Sequence, residues 1–176
     1  GDKIDVIPNG ADLEKFKPLV GRDEIRKQYK WDDNFIITYI GTHGLAHGLD
    51  SVLEAAERVR ENKDILFLFI GEGARKEDLL RIKDEHQLHN VIFLDQQPRE
   101  RIPWFINASD VCLVHLRNIN VFSHTIPSKI FEFMSCAKPI ILGVDGETKE
   151  ILEKANAGIW VKAEDSQSMA DAVIEL

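Results

Sequence analysis

Apolar residues fall along this chain in two rhythms. Short continuous runs rich in β-branched and aromatic residues alternate with stretches in which apolar positions recur every three or four residues. The runs predict strands at Ile4–Ile7, Phe35–Ile40, Ile65–Ile70, Val91–Leu94, Val111–His115, Ile140–Leu142 and Ile159–Val161. The periodic stretches predict helices near 22–30, 48–61, 74–88, 100–108, 127–137, 146–156 and 166–176. After Gly48 the stripe Leu49, Val52, Leu53, Ala56 and Val59 is clear, with Glu54, Glu57, Arg58 and Arg60 outside it. Pro103 and Pro127 fall near predicted helix starts, where a missing amide costs least. Several strands are apolar at consecutive positions, as strands covered on both faces should be. Strand–helix alternation then predicts one α/β domain over 1–176, a doubly wound parallel sheet with helices on both faces. Ligands of such sheets sit beyond the C-terminal strand ends, at helix N-termini.

Composition narrows the function. The 176 residues are 44% hydrophobic and 30% charged, with a net charge of −8. That balance argues against a general nucleic-acid or anionic-membrane surface, so an anionic ligand needs a local pocket. Cys112 and Cys136 lie in apolar segments outside any CxxC pair, and read as reduced, buried small hydrophobes of an intracellular protein. No apolar run approaches the length of a membrane span. The opening without Met and the close inside a helical pattern read as a fragment of a longer protein. The segment NGADLEKFKPLVGRDE is the most linker-like.

Three stretches can carry chemistry. In YIGTHGLAHGLDSV, Gly41, Gly44 and Gly48 bring backbone amides close to whatever lies beyond a strand, which suits a diphosphate. A Gly-rich turn serving only tight packing explains it equally well. FIGEGARKEDL offers Gly71 and Gly73 in a weaker version of the same turn. In VFSHTIPSKIFEFMSCAKPII, residues Ile130, Phe133, Met134 and Ala137 form a core stripe, leaving Ser128, Lys129, Glu132 and Ser135 on the other side. A solvated Lys–Glu pair is the bland explanation. Yet Lys129 stands in the first turn, where a cation opposes the helix dipole; that place makes sense beside a bound anion, with Glu132 accepting from a ribose diol. The six His residues show no metal-ligand spacing, and no metal is expected.

These motifs in order, with VIPNGADLEKFKP and VIFLDQQPRERIPWFINASDVCLVHL, resemble the C-terminal half of retaining two-domain (GT-B) glycosyltransferases of the group 1 family, family 4. The similarity covers almost the whole chain and is closest to the branch that builds bacterial surface polysaccharides from nucleotide-linked N-acetylated sugars. It implies a Rossmann-like domain that binds the sugar nucleotide, while an N-terminal half binds a glycan or lipid-linked acceptor. The resemblance implies no cofactor, because the nucleotide sugar, UDP-linked by family habit, is the substrate. It implies a cytoplasmic protein, with a peripheral place at the inner face of the membrane left open.

Residue by residue, the resemblance places Glu132 on the ribose and puts His124 where the family carries a Glu that touches the donor sugar. These two are the expected catalytic positions. Gly41, Thr42, His43, Gly44, Thr125, Ile126, Pro127, Ser128 and Lys129 join Glu132 as the expected ligand-binding set. The family's usual diphosphate cations correspond to Thr42 and His47, so Lys129 is the expected replacement. Phe93–Pro98 would hold the base through its backbone. A sugar-nucleotide epimerase of the same two-domain type, or a nucleotide-binding module without transfer, stand as alternatives.

Overall fold

The computed structural model describes residues 9–176. The predicted strand Ile4–Ile7 lies outside the described residues. Six strands follow: β1 (Phe35–Ile40), β2 (Ile65–Ile70), β3 (Val91–Leu94), β4 (Val111–His115), β5 (Ile140–Gly143) and β6 (Gly158–Trp160). Every pairing is parallel, in the order β3-β2-β1-β4-β5-β6. The helices are α1 (Arg22–Tyr29), α2 (Leu49–Arg58), α3 (Lys76–Glu85), α4 (Ile102–Ala108), α5 (Lys129–Ser135), α6 (Glu147–Ala155) and α7 (Ser166–Glu175).

Strand residues alternate between two buried faces, which explains the continuous apolar runs. Ile37, Tyr39, Phe67, Phe69 and Leu113 join Val52, Leu53 and Ala56 of α2, Leu79 of α3 and Met169 of α7. On the other face, Ile36, Leu66 and Leu68 meet Ile25 of α1 and Phe105 of α4. Cys112, Val114 and Leu142 meet Ile130 and Phe133 of α5 and Leu152 of α6. All six residues of β2 are buried.

The helices are shorter than the periodicity predicts, because end residues turn out of helical geometry. Val59 caps α2 at φ −104° and ψ 8°, and Gln87 after α3 takes φ 53°. The linker-like segment is held to the body. Phe16 is buried with the α5 core, and Asn107 of α4 accepts from the Leu19 amide at 3.1 Å while donating to the Lys17 carbonyl at 2.9 Å. A polar stretch with one buried Phe resembles a linker in composition alone.

The order reverses between β1 and β4. Connections leave these neighbours in opposite directions and open a crevice beyond their C-terminal ends. The Gly-rich loop after β1 and the start of α5 both lie at that edge.

Candidate functional site at the switch point of the sheet

The loops at this edge are locked by backbone contacts that glycines permit. The Gly41 amide donates to the Ile70 carbonyl at 2.9 Å, and the Gly71 amide to the Leu94 carbonyl at 3.1 Å. The His43 amide donates to the Glu72 carbonyl at 2.8 Å, and the His43 carbonyl accepts from the Arg75 amide at 2.9 Å. A Cβ on Gly71 would collide with the Gly41 carbonyl, and one on Gly73 with the His43 backbone. The loops after β1 and β2 therefore behave as one interlocked unit. A cleft of about 370 Å³ lies against it, lined by Gly41, Thr42, Glu72, Gln96, Gln97 and Arg99 among others. A larger recess of about 650 Å³ opens at the other end of the sheet, between the last turns of α2 and α3; it lies far from the switch point and holds none of the expected ligand-binding residues.

Lys129 crosses the switch point. From the first turn of α5 its Nζ donates to the Ile40 carbonyl at 2.7 Å and lies 4.6 Å from the centre of the Tyr39 ring. A Cβ on Gly41 would reach this ammonium, so the glycine leaves room for the lysine. Burial lowers the Lys129 pKa to about 8, with the Glu132 charge acting the other way. Lys129 is thus no surface partner of Glu132, and the bland ion-pair explanation does not describe it. Glu132 is half-buried one turn on; burial raises its pKa, opposed by the charges of Arg99 and Lys129.

Histidines around the loop are held neutral. His43 is fully buried among Tyr39, Phe69 and Phe93. Burial, aided by the Lys76 charge, lowers its pKa to about 4. His47 is lowered by burial and by the Lys129 charge. His115, at the end of β4, is lowered by burial. Its Nδ1 donates to the His47 carbonyl at 2.7 Å, and its Nε2 accepts from the Glu164 amide at 3.1 Å. One ring therefore ties the loop after β1 to the loop after β6.

The expected site residues divide. Gly41, Thr42 and Lys129 meet at the crevice, with Glu132 beside it. Among the described residues nothing accepts from the Thr42 or Gly44 amides. The His43 amide and carbonyl are both occupied within the loops, while its buried ring has neither nitrogen bonded among the described residues. Thr125 is exposed, but its carbonyl accepts from Thr148 Oγ1 at 2.8 Å. Ile126 packs on the α5 core, and the Pro127 carbonyl accepts from the Ile130 amide at 3.1 Å. Ser128 is exposed just before α5. His124 is exposed on the short 3-10 turn Asn120–His124, with no bond among the described residues to Lys129 or Glu132. Gln96 and Gln97 bring part of the Phe93–Pro98 segment to the cleft. No group of residues able to hold a metal ion occurs among the described residues, and no helix is long and apolar enough to cross a membrane.

Two neighbours escaped sequence reasoning. Tyr39 carried one signal, a phenol in the otherwise hydroxyl-poor run FIITYI just before the Gly-rich loop. Arg99 carried none, because its approach to Glu132 is purely tertiary.

A model of the family described as glycosyl transferases group 1 matches residues 21–176. The alpha-D-kanosaminyltransferase of Streptomyces kanamyceticus is 27% identical over 157 residues, covering 88% of this chain and 39% of that protein. The UDP-Gal:alpha-D-GlcNAc-diphosphoundecaprenol alpha-1,3-galactosyltransferase of Escherichia coli is 26% identical over 180 residues, 99% of this chain and 45% of that protein. The chain therefore spans less than half the length of these relatives. Among solved structures, Anabaena HepE in complex with UDP and glucose shares the fold with a TM-score of 0.80 at 20% identity, over 97% of this chain and 46% of that one.

Proposed function

The chain belongs to the group 1 glycosyl transferases, and from that premise we propose that it is the sugar-nucleotide-binding half of a retaining transferase. The donor in this reading is a UDP-linked N-acetylhexosamine, and a glycan or lipid-linked acceptor is bound by the other half of the enzyme. The observation that carries it is the Lys129 ammonium, held over the end of β1 where the loop begins whose Thr42 and Gly44 amides have no acceptor among the described residues. A diphosphate placed there gains a cation and backbone donors fixed in advance. These groups act most strongly when the glycosidic bond breaks and charge builds on the departing diphosphate. Glu132 accepts from the ribose hydroxyls, and its partial burial strengthens such bonds. His124 faces the donor sugar in this reading. No cofactor takes part. The uridine choice draws support from the Escherichia coli relative, named for UDP-Gal and an undecaprenol-linked acceptor, and from the neighbour solved with UDP and glucose.

Calorimetric titration of UDP and uridine into the parent and Lys129→Ala tests the site. Charge-assisted bonds contribute about 1.5–3 kcal/mol, so UDP affinity should fall about 10- to 100-fold. Uridine affinity should not change, and the UDP loss should shrink as salt rises. Equal UDP affinity in parent and variant would overturn the site. For the reaction, the full-length protein is incubated with UDP-sugars and acceptor, and the anomeric configuration of the product is read by NMR. A released epimer, or nucleotide binding without turnover, would replace transfer by one of the two alternatives.

A further inference from the structure

Lys129 is held by a residue that neither the chemistry of phosphate binding nor the packing of a parallel sheet requires. Tyr39 is 1% exposed and shares its sheet face with Ile37. A Phe would fill the same core. The hydroxyl, however, reaches the top of the strand and donates to the Thr42 carbonyl at 2.9 Å. The ring lies beneath the Lys129 ammonium at 4.6 Å. It is wedged by Phe69 at 6.2 Å and by His43 and His47, each at 6.0 Å between ring centres, so it cannot turn away. One side chain thus touches both the cation of the crevice and the loop that follows β1.

We propose that Tyr39 is the positioning residue of this site, its ring face holding the Lys129 ammonium over the end of β1 while its hydroxyl fixes Thr42. The electrostatics fit this role. A partly desolvated ammonium is stabilised by the negative face of an aromatic ring far more than an exposed one. The other groups facing Lys129 are the Ile40 carbonyl, Glu132 on its own helix, and the two neutral histidines of the loop, His43 and His47. Of these, Glu132 alone is anionic, and it sits outside bonding range of Nζ. The ring therefore acts together with the Ile40 carbonyl and the Glu132 charge in keeping Lys129 charged and in place before an anion arrives. The inference rests on the reading of Lys129 as the diphosphate cation only for its consequence in binding.

The experiment compares the parent with Tyr39→Phe, which keeps the ring and removes the hydroxyl, and Tyr39→pentafluorophenylalanine, which keeps the shape and reverses the charge of the ring face. The Lys129 titration is followed by NMR of 13C-labelled lysine, and UDP affinity is measured across the same pH range. In Tyr39→Phe the Lys129 midpoint should stay near that of the parent, with UDP binding weakened several-fold through the loss of the Thr42 tether. In the fluorinated protein the midpoint should fall by about one pH unit, and UDP affinity should decline from a correspondingly lower pH. One midpoint shared by all three proteins would overturn the proposal and leave the diphosphate reading intact. A midpoint that moves without any matching change in the pH profile of UDP binding would keep the Tyr39–Lys129 pair and remove Lys129 from the diphosphate. Melting curves of the two variants separate these outcomes from a general loss of fold.

Discussion

Lys129 lies where burial disfavours its charge, and this makes its protonation a reporter of what sits in the crevice. Its pKa of about 8 is below the ordinary value of about 10.4. Between these values the folded chain binds fewer protons than the unfolded one, so Lys129 makes stability rise with pH across that window; below it the cost of the buried charge is fully present. A diphosphate reverses the preference by holding the lysine protonated. UDP binding at pH 8.5 should therefore take up protons, seen as a dependence of the calorimetric heat on buffer ionisation enthalpy, and Lys129→Ala should abolish this. Proton-neutral binding by the parent would remove Lys129 from the site. Glu132 behaves in the opposite sense. Its folded pKa is raised, so its contribution favours the fold below the ordinary carboxylate range and is lost as pH rises through the folded value. Glu132→Gln, which mimics the protonated form, should leave stability at pH 7 unchanged or slightly higher. UDP affinity should fall about tenfold or more as the ribose loses a charged acceptor. A lower melting temperature with unchanged UDP affinity would make Glu132 a structural residue.

At the level of elements, the site depends on two loops that pass closer than side chains allow. Gly71 has φ 146°, and a Cβ there would strike the Gly41 carbonyl. Gly71→Ala should cost about 1–3 kcal/mol in urea unfolding and also weaken UDP binding, because the Thr42 and Gly44 amides move with Gly41. Gly10, which has nothing within 4 Å of an added Cβ, is the control, and Gly10→Ala should change neither quantity. Equal behaviour of the two variants would mean that the loops are not locked. This dependence was only half legible in the sequence. β1, β2, β3 and β4 could be bounded to the residue, because each is a continuous apolar run broken by Gly, Asp or polar residues. The glycines marked a close approach, but not what approaches: Gly41 and Gly71 face each other across loops thirty residues apart. Likewise, the pattern in α5 placed Lys129 and Glu132 on one side, as helix geometry requires. It did not show that Lys129 reaches back over β1 to Ile40, since that depends on how α5 packs beside β4. The burial of His43 was hidden for the same reason. A His between Thr42 and Gly44 gives no sign of burial in sequence; Tyr39 and the stacked Phe69 and Phe93, 4.8 Å apart, turn its surroundings into core.

At the level of the whole molecule, self-sufficient folding and the absence of turnover should coexist. The sheet is covered on both faces by helices of this chain, and three buried clusters together draw on every strand and helix of the described residues. Arg26 adds a tie across the molecule, donating to the Ala108 carbonyl at 2.9 Å and pairing with Asp110 at 2.6 Å. Such a domain should unfold in one cooperative step by circular dichroism and by tryptophan fluorescence, with the two midpoints coincident. It should also bind UDP, since Lys129, Glu132 and the amides all belong to it. Transfer is a different matter. The chain covers 39% and 45% of the two relatives compared above. In the proposed reading the acceptor, and the surface that excludes water from the broken glycosidic bond, come from the other half of the enzyme. The net charge of −8 also gives the domain no general attraction for an anionic, lipid-linked acceptor. Residues 1–176 should therefore stabilise with UDP in a thermal-shift assay yet release no sugar from a UDP-sugar to an acceptor, whereas the full-length protein should do both. Transfer by the 176-residue chain alone, at a rate near that of the full-length protein, would show that the acceptor site lies within these residues and would sink the division of labour between two halves.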